Sequence, residues 1–234
     1  MIVKKLLVLL MVLVMLTMVC STALAAGNVY FETALKGTEK SEISGDLIGT
    51  TKTEYDLSDY TIGGLYSINR FILGAEYSFG ANEEEVDHTM WNARVGYICF
   101  GNPQFYVFPV VSLLGISQKD DDDSSKDMDV SATMLGVDAI WNITEAFNLY
   151  GSFGYALSAS LESPNVLSTK EESVRTIVVK GNYALTDNLA LSVSYRNLDL
   201  AGKLKLKGGP GGMTLDADQS VNLTTYTAGL SYHF

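Results

Sequence analysis

VNLTTYTAGLSYHF, residues Val221 to Phe234, decides how the rest of this 234-residue chain is read. Tyr226, Ala228, Leu230, Tyr232 and Phe234 are apolar or small, while Thr225, Thr227, Gly229, Ser231 and His233 between them are mostly polar or small. Successive side chains of a strand point to opposite faces, so this period of two gives a strand one greasy and one wet side.

The N-terminal end tells where such a strand belongs. Lys4 and Lys5 precede an apolar run from Leu6 to Leu16, and Ala23-Leu24-Ala25 follows. A charged start, a short apolar core and a small-x-small site make a secretory signal peptide. Residues 1–25 are expected to be cleaved, leaving 26–234 as one domain. An uncleaved anchor is the competing reading, because the segment approaches the roughly 20 residues of a spanning helix. Cys20 would suit lipidation only with a small residue before it, and Val19 stands there. Cleavage removes two lysines and no acid, moving the net charge from −11 to −13. So acidic a chain argues against nucleic acid as a partner. Of two cysteines, Cys99 alone would remain, so no internal disulfide can form.

Turn signals cut residues 26–234 into ten strand-like segments, near 28–44, 54–68, 70–80, 88–100, 105–118, 130–143, 148–162, 174–186, 189–206 and 221–234. Short connections, as at Asn69 and Thr186-Asp187-Asn188, alternate with longer polar ones, as at 119–129 and 207–220. Apolar content delivered in alternation is how a barrel meets a bilayer, with tight periplasmic turns and longer outward loops. The fold class expected is all-β: a transmembrane antiparallel meander barrel of ten strands, eight being the fallback count. Segment 105–118 is apolar on both parities, so its register is unreadable; Pro109 within it suggests a bulge or local break.

The last strand resembles the C-terminal assembly signal of Gram-negative-type outer-membrane β-barrel proteins, carried here by Tyr226, Leu230, Tyr232 and Phe234. The resemblance implies location in the cell outer membrane after export. It also implies outer-membrane lipid, lipopolysaccharide and the barrel-assembly machinery as partners, with any surface ligand unknown.

Parity places Glu32, Lys36, Glu76, Arg94, Asp138, Lys180 and Arg196 on the inward face. Buried charge must pair or meet water, so these residues form either an internal ion-pair network or a charged constriction. Glu76 and Arg94, on neighbouring strands, are the expected pair. A ten-stranded lumen stands close to the eight-stranded limit at which side chains fill the interior, so a polar, largely filled lumen is expected.

Two loops are acidic, Glu83-Glu84-Glu85 with Asp87, and Asp120 to Asp123 with Asp127 and Asp129. The second lacks the glycine and terminal glutamate of a calcium loop, so no metal or cofactor is assigned. Lys203, Lys205 and Lys207 share the parity of outward Val193 and Tyr195 and could meet lipopolysaccharide phosphates. Asp87-His88 invites comparison with the omptin proteases, but adjacent strand residues point to opposite faces, and no catalytic residue is assigned. Three readings stand: a structural or surface-interaction barrel serving envelope integrity or adhesion, a narrow passive channel, and a surface hydrolase of omptin or lipid-modifying type. The first, which is not an enzyme, leads.

Overall fold

The computed structural model describes residues 26–45, 49–84, 86–102, 104–120, 127–164, 166–206 and 215–234. The expectations for the signal segment, Glu85, Asp121 to Asp123 and Lys207 lie outside them. The strands are β1 Ala26–Gly45, β2 Gly49–Ile68, β3 Phe71–Asn82, β4 Asp87–Tyr97, β5 Phe100–Asn102, β6 Phe105–Lys119, β7 Met128–Asn142, β8 Phe147–Glu162, β9 Val166–Ala184, β10 Leu189–Leu206 and β11 Leu215–His233. Consecutive strands pair antiparallel except β4 and β5, β1 pairs with β11, and β4 pairs with β6. The result is a closed ten-stranded barrel with β5 left outside the ring, paired to β6 alone.

The segment expected at 88–100 is therefore two strands. The β4–β6 ladder stops at Gly96↔Val110, and the β5–β6 ladder begins at Phe100↔Val107. Pro109 lies in that gap, where β6 has no partner on one side and its missing N–H costs nothing. The break expected at Pro109 thus falls in the neighbouring ladder, while β6 and β7 stay in register through Pro109↔Val137. Several outward connections are shorter than expected. Residues 49–53, 166–173 and 215–220, read from sequence as loop, extend β2, β9 and β11.

The barrel has two zones. Towards the end that carries the short turns, the outer face is apolar: Phe71, Leu73, Leu135, Val137, Phe153, Val179, Leu191 and Leu230 are all exposed. Rings bound this belt, with Tyr97, Trp141, Tyr183 and Tyr232 near the short turns and Tyr60, Trp91 and Tyr226 on the other side. Phe31, Tyr60 and Phe79 stack in sequence, with centroids 6.3 and 5.6 Å apart. Such girdles mark the two bilayer interfaces.

Beyond the belt the pattern inverts. The outer face carries Lys40 paired to Glu54 at 3.1 Å, Lys52 paired to Glu42 at 2.9 Å, and Arg175 against Asp199. The interior is apolar, with Leu114, Ile116, Val130, Met134, Leu161, Val174, Leu198, Leu200, Leu204 and Val221 buried in one cluster. At about 3.3 Å per residue, β11 carries Leu215 roughly 35 Å along its axis past Tyr226. The chain thus builds a lipid-facing ring with a polar inside and a water-facing ring with a greasy inside.

Candidate functional site: the luminal charge network

Six of the seven charges expected inside lie there, Glu32, Asp138, Lys180 and Arg196 buried and Glu76 and Arg94 partly so. Lys180 (β9) pairs with Glu32 (β1) at 2.6 Å, and its ammonium lies 3.0 Å from the centroid of the Tyr30 ring. Thr227 and Ser194 donate to the second oxygen of Glu32 at 2.7 and 3.0 Å. Arg196 (β10) pairs with Glu76 (β3) at 2.6 Å and donates to Ser78, which shares a hydrogen bond with Thr61. Tyr30 donates to the other oxygen of Glu76 at 2.5 Å. Arg94 (β4) reaches Asp138 (β7) at 3.4 Å and also donates to Tyr150 (β8), which in turn donates to Asp138 at 2.6 Å. These contacts touch every strand of the ring except β6.

The expected Glu76–Arg94 pair is not the pairing formed. The register sets Glu76 opposite Asn92 and Arg94 opposite Gly74, and strand tilt carries both side chains across the lumen to other partners. Lys36 leaves the network altogether. One extra residue in β1, between Ala34 and Lys36, shifts the β1–β11 ladder, so Lys36 sits opposite outward-facing Tyr226. A bulge moves every later side chain to the other face; Lys36 is exposed and Glu39 becomes an inward residue, accepting from Gln118 at 3.0 Å. A second bulge between Thr133 and Met134 in the β7–β8 ladder turns Ser158 outward in the same way.

Sequence reasoning missed Tyr30 and Tyr150. Both share the parity of an inward residue, Tyr30 with Glu32 and Tyr150 with Ser152, and that signal would have found them. Two glycines make room for the network. A Cβ at Gly63 would run into the Tyr30 ring, and one at Gly74 would lie 2.7 Å from Cγ of Arg94.

Above the network, His88 lies 3.7 Å from Asp59, both buried; Asp87 belongs to the opposite face. On the outer wall, Lys203 is exposed and Lys205 half-buried, opposite Asp218 and Asp216 in the β10–β11 ladder. Of the C-terminal residues, Tyr226, Leu230 and Tyr232 face outward. Phe234 exchanges two backbone hydrogen bonds with Gly27 and sets its ring 6.3 Å from that of Tyr66.

Below the network, towards the short turns, the lumen opens into a cavity of about 490 Å³. Asn69 and Ser67 of the β2–β3 turn line its mouth, and Glu32, Glu76, Arg94, Lys180 and Arg196 close its deep end. No residue of the apolar cluster lines it.

The pattern for the outer membrane protein beta-barrel domain matches residues 11–234. The chain belongs to that family. Membership places the barrel in the outer membrane, and the apolar belt is the face that fits a bilayer. Among solved structures, the outer membrane protease OmpT from Escherichia coli is similar over 90% of this chain and 96% of its own, at 13% identity and a TM-score of 0.54. OprG from Pseudomonas aeruginosa aligns over 90% of this chain and 95% of its own, at 16% identity and a TM-score of 0.40. Neisserial surface protein A aligns over 88% and 97%, at 16% identity and a TM-score of 0.35. No curated protein matches the chain by sequence. At these identities the likeness concerns the fold.

Proposed function

We propose that this outer-membrane barrel is closed to solutes and has a structural or surface-interaction role, serving envelope integrity or adhesion, without being an enzyme. The observation that carries the reading is the apolar cluster. Leu198, Leu200, Leu204, Val174 and Met134, each at most 4% exposed, pack into one cluster inside the barrel on the outward side of the charge network. A water-filled channel would have to be lined by polar groups at that level, because water wets an apolar constriction poorly. What the cell meets instead is an outward sheet wall of paired charges and hydroxyls, suited to contact with a surface partner. Lys203 and Lys205 belong to that wall as contacts for lipopolysaccharide phosphate, a role expected also of Lys207, which lies outside the described residues.

Assembly follows the same reading. The signal is removed after Ala25, and the outward residues Tyr226, Leu230 and Tyr232 with Phe234 present the closing strand to the assembly machinery. Deleting Phe234 should lower the yield of heat-modifiable barrel in membranes more than deleting a loop residue does.

Purified barrel in planar bilayers is expected to give negligible conductance, and liposomes carrying it should not swell in a disaccharide. Sustained ionic current or rapid swelling would replace this reading with the narrow channel.

A further inference from the structure

The cavity below the charge network has two unlike walls. On one side Ile72 is buried in a second, smaller apolar cluster with Phe108 and Val110, against which Tyr106 and Ile140 pack. On the other stand the deep-end charges: two acids, Glu32 and Glu76, against three cations, Arg94, Lys180 and Arg196. The lining therefore carries one cation in excess. Asp138, whose side chain is 2% exposed, lies behind Arg94 and outside the lining.

Arg94 stands where the two walls meet. Its contacts to Asp138, Tyr150 and Ser152 all leave from Nη1, towards β7 and β8. A guanidinium has five N–H donors in a fixed fork that suits a carboxylate, so Nε and Nη2 remain for an acceptor in the cavity. Nearby, Asn182 is 4% exposed, lines the cavity, and keeps its Oδ1 without a hydrogen-bond partner although Nδ2 donates to Asn148. A buried acceptor left bare is costly; a water held there donates to it and, with its second hydrogen, to a carboxylate bound nearby. Small-molecule sites are concave, largely apolar, of about 300–1,000 Å³, with a few convergent polar groups, and are found in the mouths of barrels.

We propose that this blind cavity binds a small monocarboxylate with a flat or branched apolar body, entering from the periplasm. The carboxylate lies on the Nε–Nη2 edge of Arg94, and the apolar body lies against Ile72, Tyr106 and Ile140. Arg196 and Lys180 stay bound to Glu76 and Glu32, while Arg94, paired to Asp138 through Nη1 alone, offers the ligand its second edge. The proposal goes beyond the closed-barrel reading and does not depend on it, since a blind site and an outward seal are tested by different measurements.

The test titrates the refolded mature barrel in detergent with benzoate and, in parallel, with benzyl alcohol, by calorimetry and ligand-observed NMR. Benzoate should bind saturably, and the alcohol at least about tenfold more weakly. R94Q should erase that preference, whereas R94K should keep part of it, because a point charge replaces a fork. I140W fills the apolar side without touching a charge and should abolish binding of both probes, so it decides the matter if R94Q does not fold. Equal binding of acid and alcohol, benzoate binding unchanged in I140W, or no saturable benzoate binding would each overturn the site.

Discussion

The two zones of the barrel bury opposite things. In the bilayer zone the inside holds Glu32, Glu76, Arg94, Asp138, Lys180 and Arg196, and the outside holds leucine, valine and aromatic rings. In the outward zone the inside holds leucine, valine and methionine, and the outside holds lysine, acids and hydroxyls. The same strands run through both zones, so strand geometry does not choose the pattern; the medium outside does. Lipid accepts only apolar groups, and its wall obliges polar residues inwards. Water accepts polar groups, and the apolar residues then collapse inwards as in any soluble barrel.

If the comparison is right, the largest effect comes from unpairing a charge in the bilayer zone. Glu32→Leu leaves Lys180 buried without its acid and should cost about 3–5 kcal/mol. Urea titration of refolded protein measures the loss, and adding Lys180→Met should recover much of it; strict additivity would show that the two charges do not act as a pair. Next comes the apolar cluster, where Leu198→Ala should cost about 2–5 kcal/mol through lost burial and a residual cavity. A cost near zero would mean that water already fills the outward zone. Somewhat smaller is a contrast along one face of β10. Val193→Lys, midway across the belt, should cost about 2–4 kcal/mol, and Ala201→Lys, on the same face past the belt, less than about 0.5 kcal/mol. Equal costs would erase the boundary between the zones. The smallest effect belongs to the outer wall: Glu54→Ala, which breaks the pair with Lys40, should change stability by about 0–1 kcal/mol and less in high salt.

Much of this architecture is legible in the chain. The alternation in 221–234 and the spacing of turns yield the closed antiparallel barrel, and parity places six luminal charges. What parity cannot supply is the bulge. Leu35 and Leu157 read as ordinary members of their strands, yet one extra residue in each place turns Lys36 and Ser158 to the other face. Partner choice is also hidden, because it depends on how strand tilt brings non-neighbouring strands face to face across the lumen; Glu76 meets Arg196 rather than Arg94. The inverted outward zone is legible only in hindsight. Residues 166–173 and 215–220 look like loop until the apolar residues opposite them, Leu204 and Leu206, are seen to need a covered inner face.

Gly63 and Gly74 leave a trace that reaches past this molecule. The Tyr30 ring lies where a side chain at Gly63 would begin, and the Arg94 stem lies over Gly74. Each glycine and its large neighbour therefore form one unit of heredity. A descendant that gains a methyl group at either position must lose or re-aim its companion, so the two sites in each couple should change together as the lineage diverges.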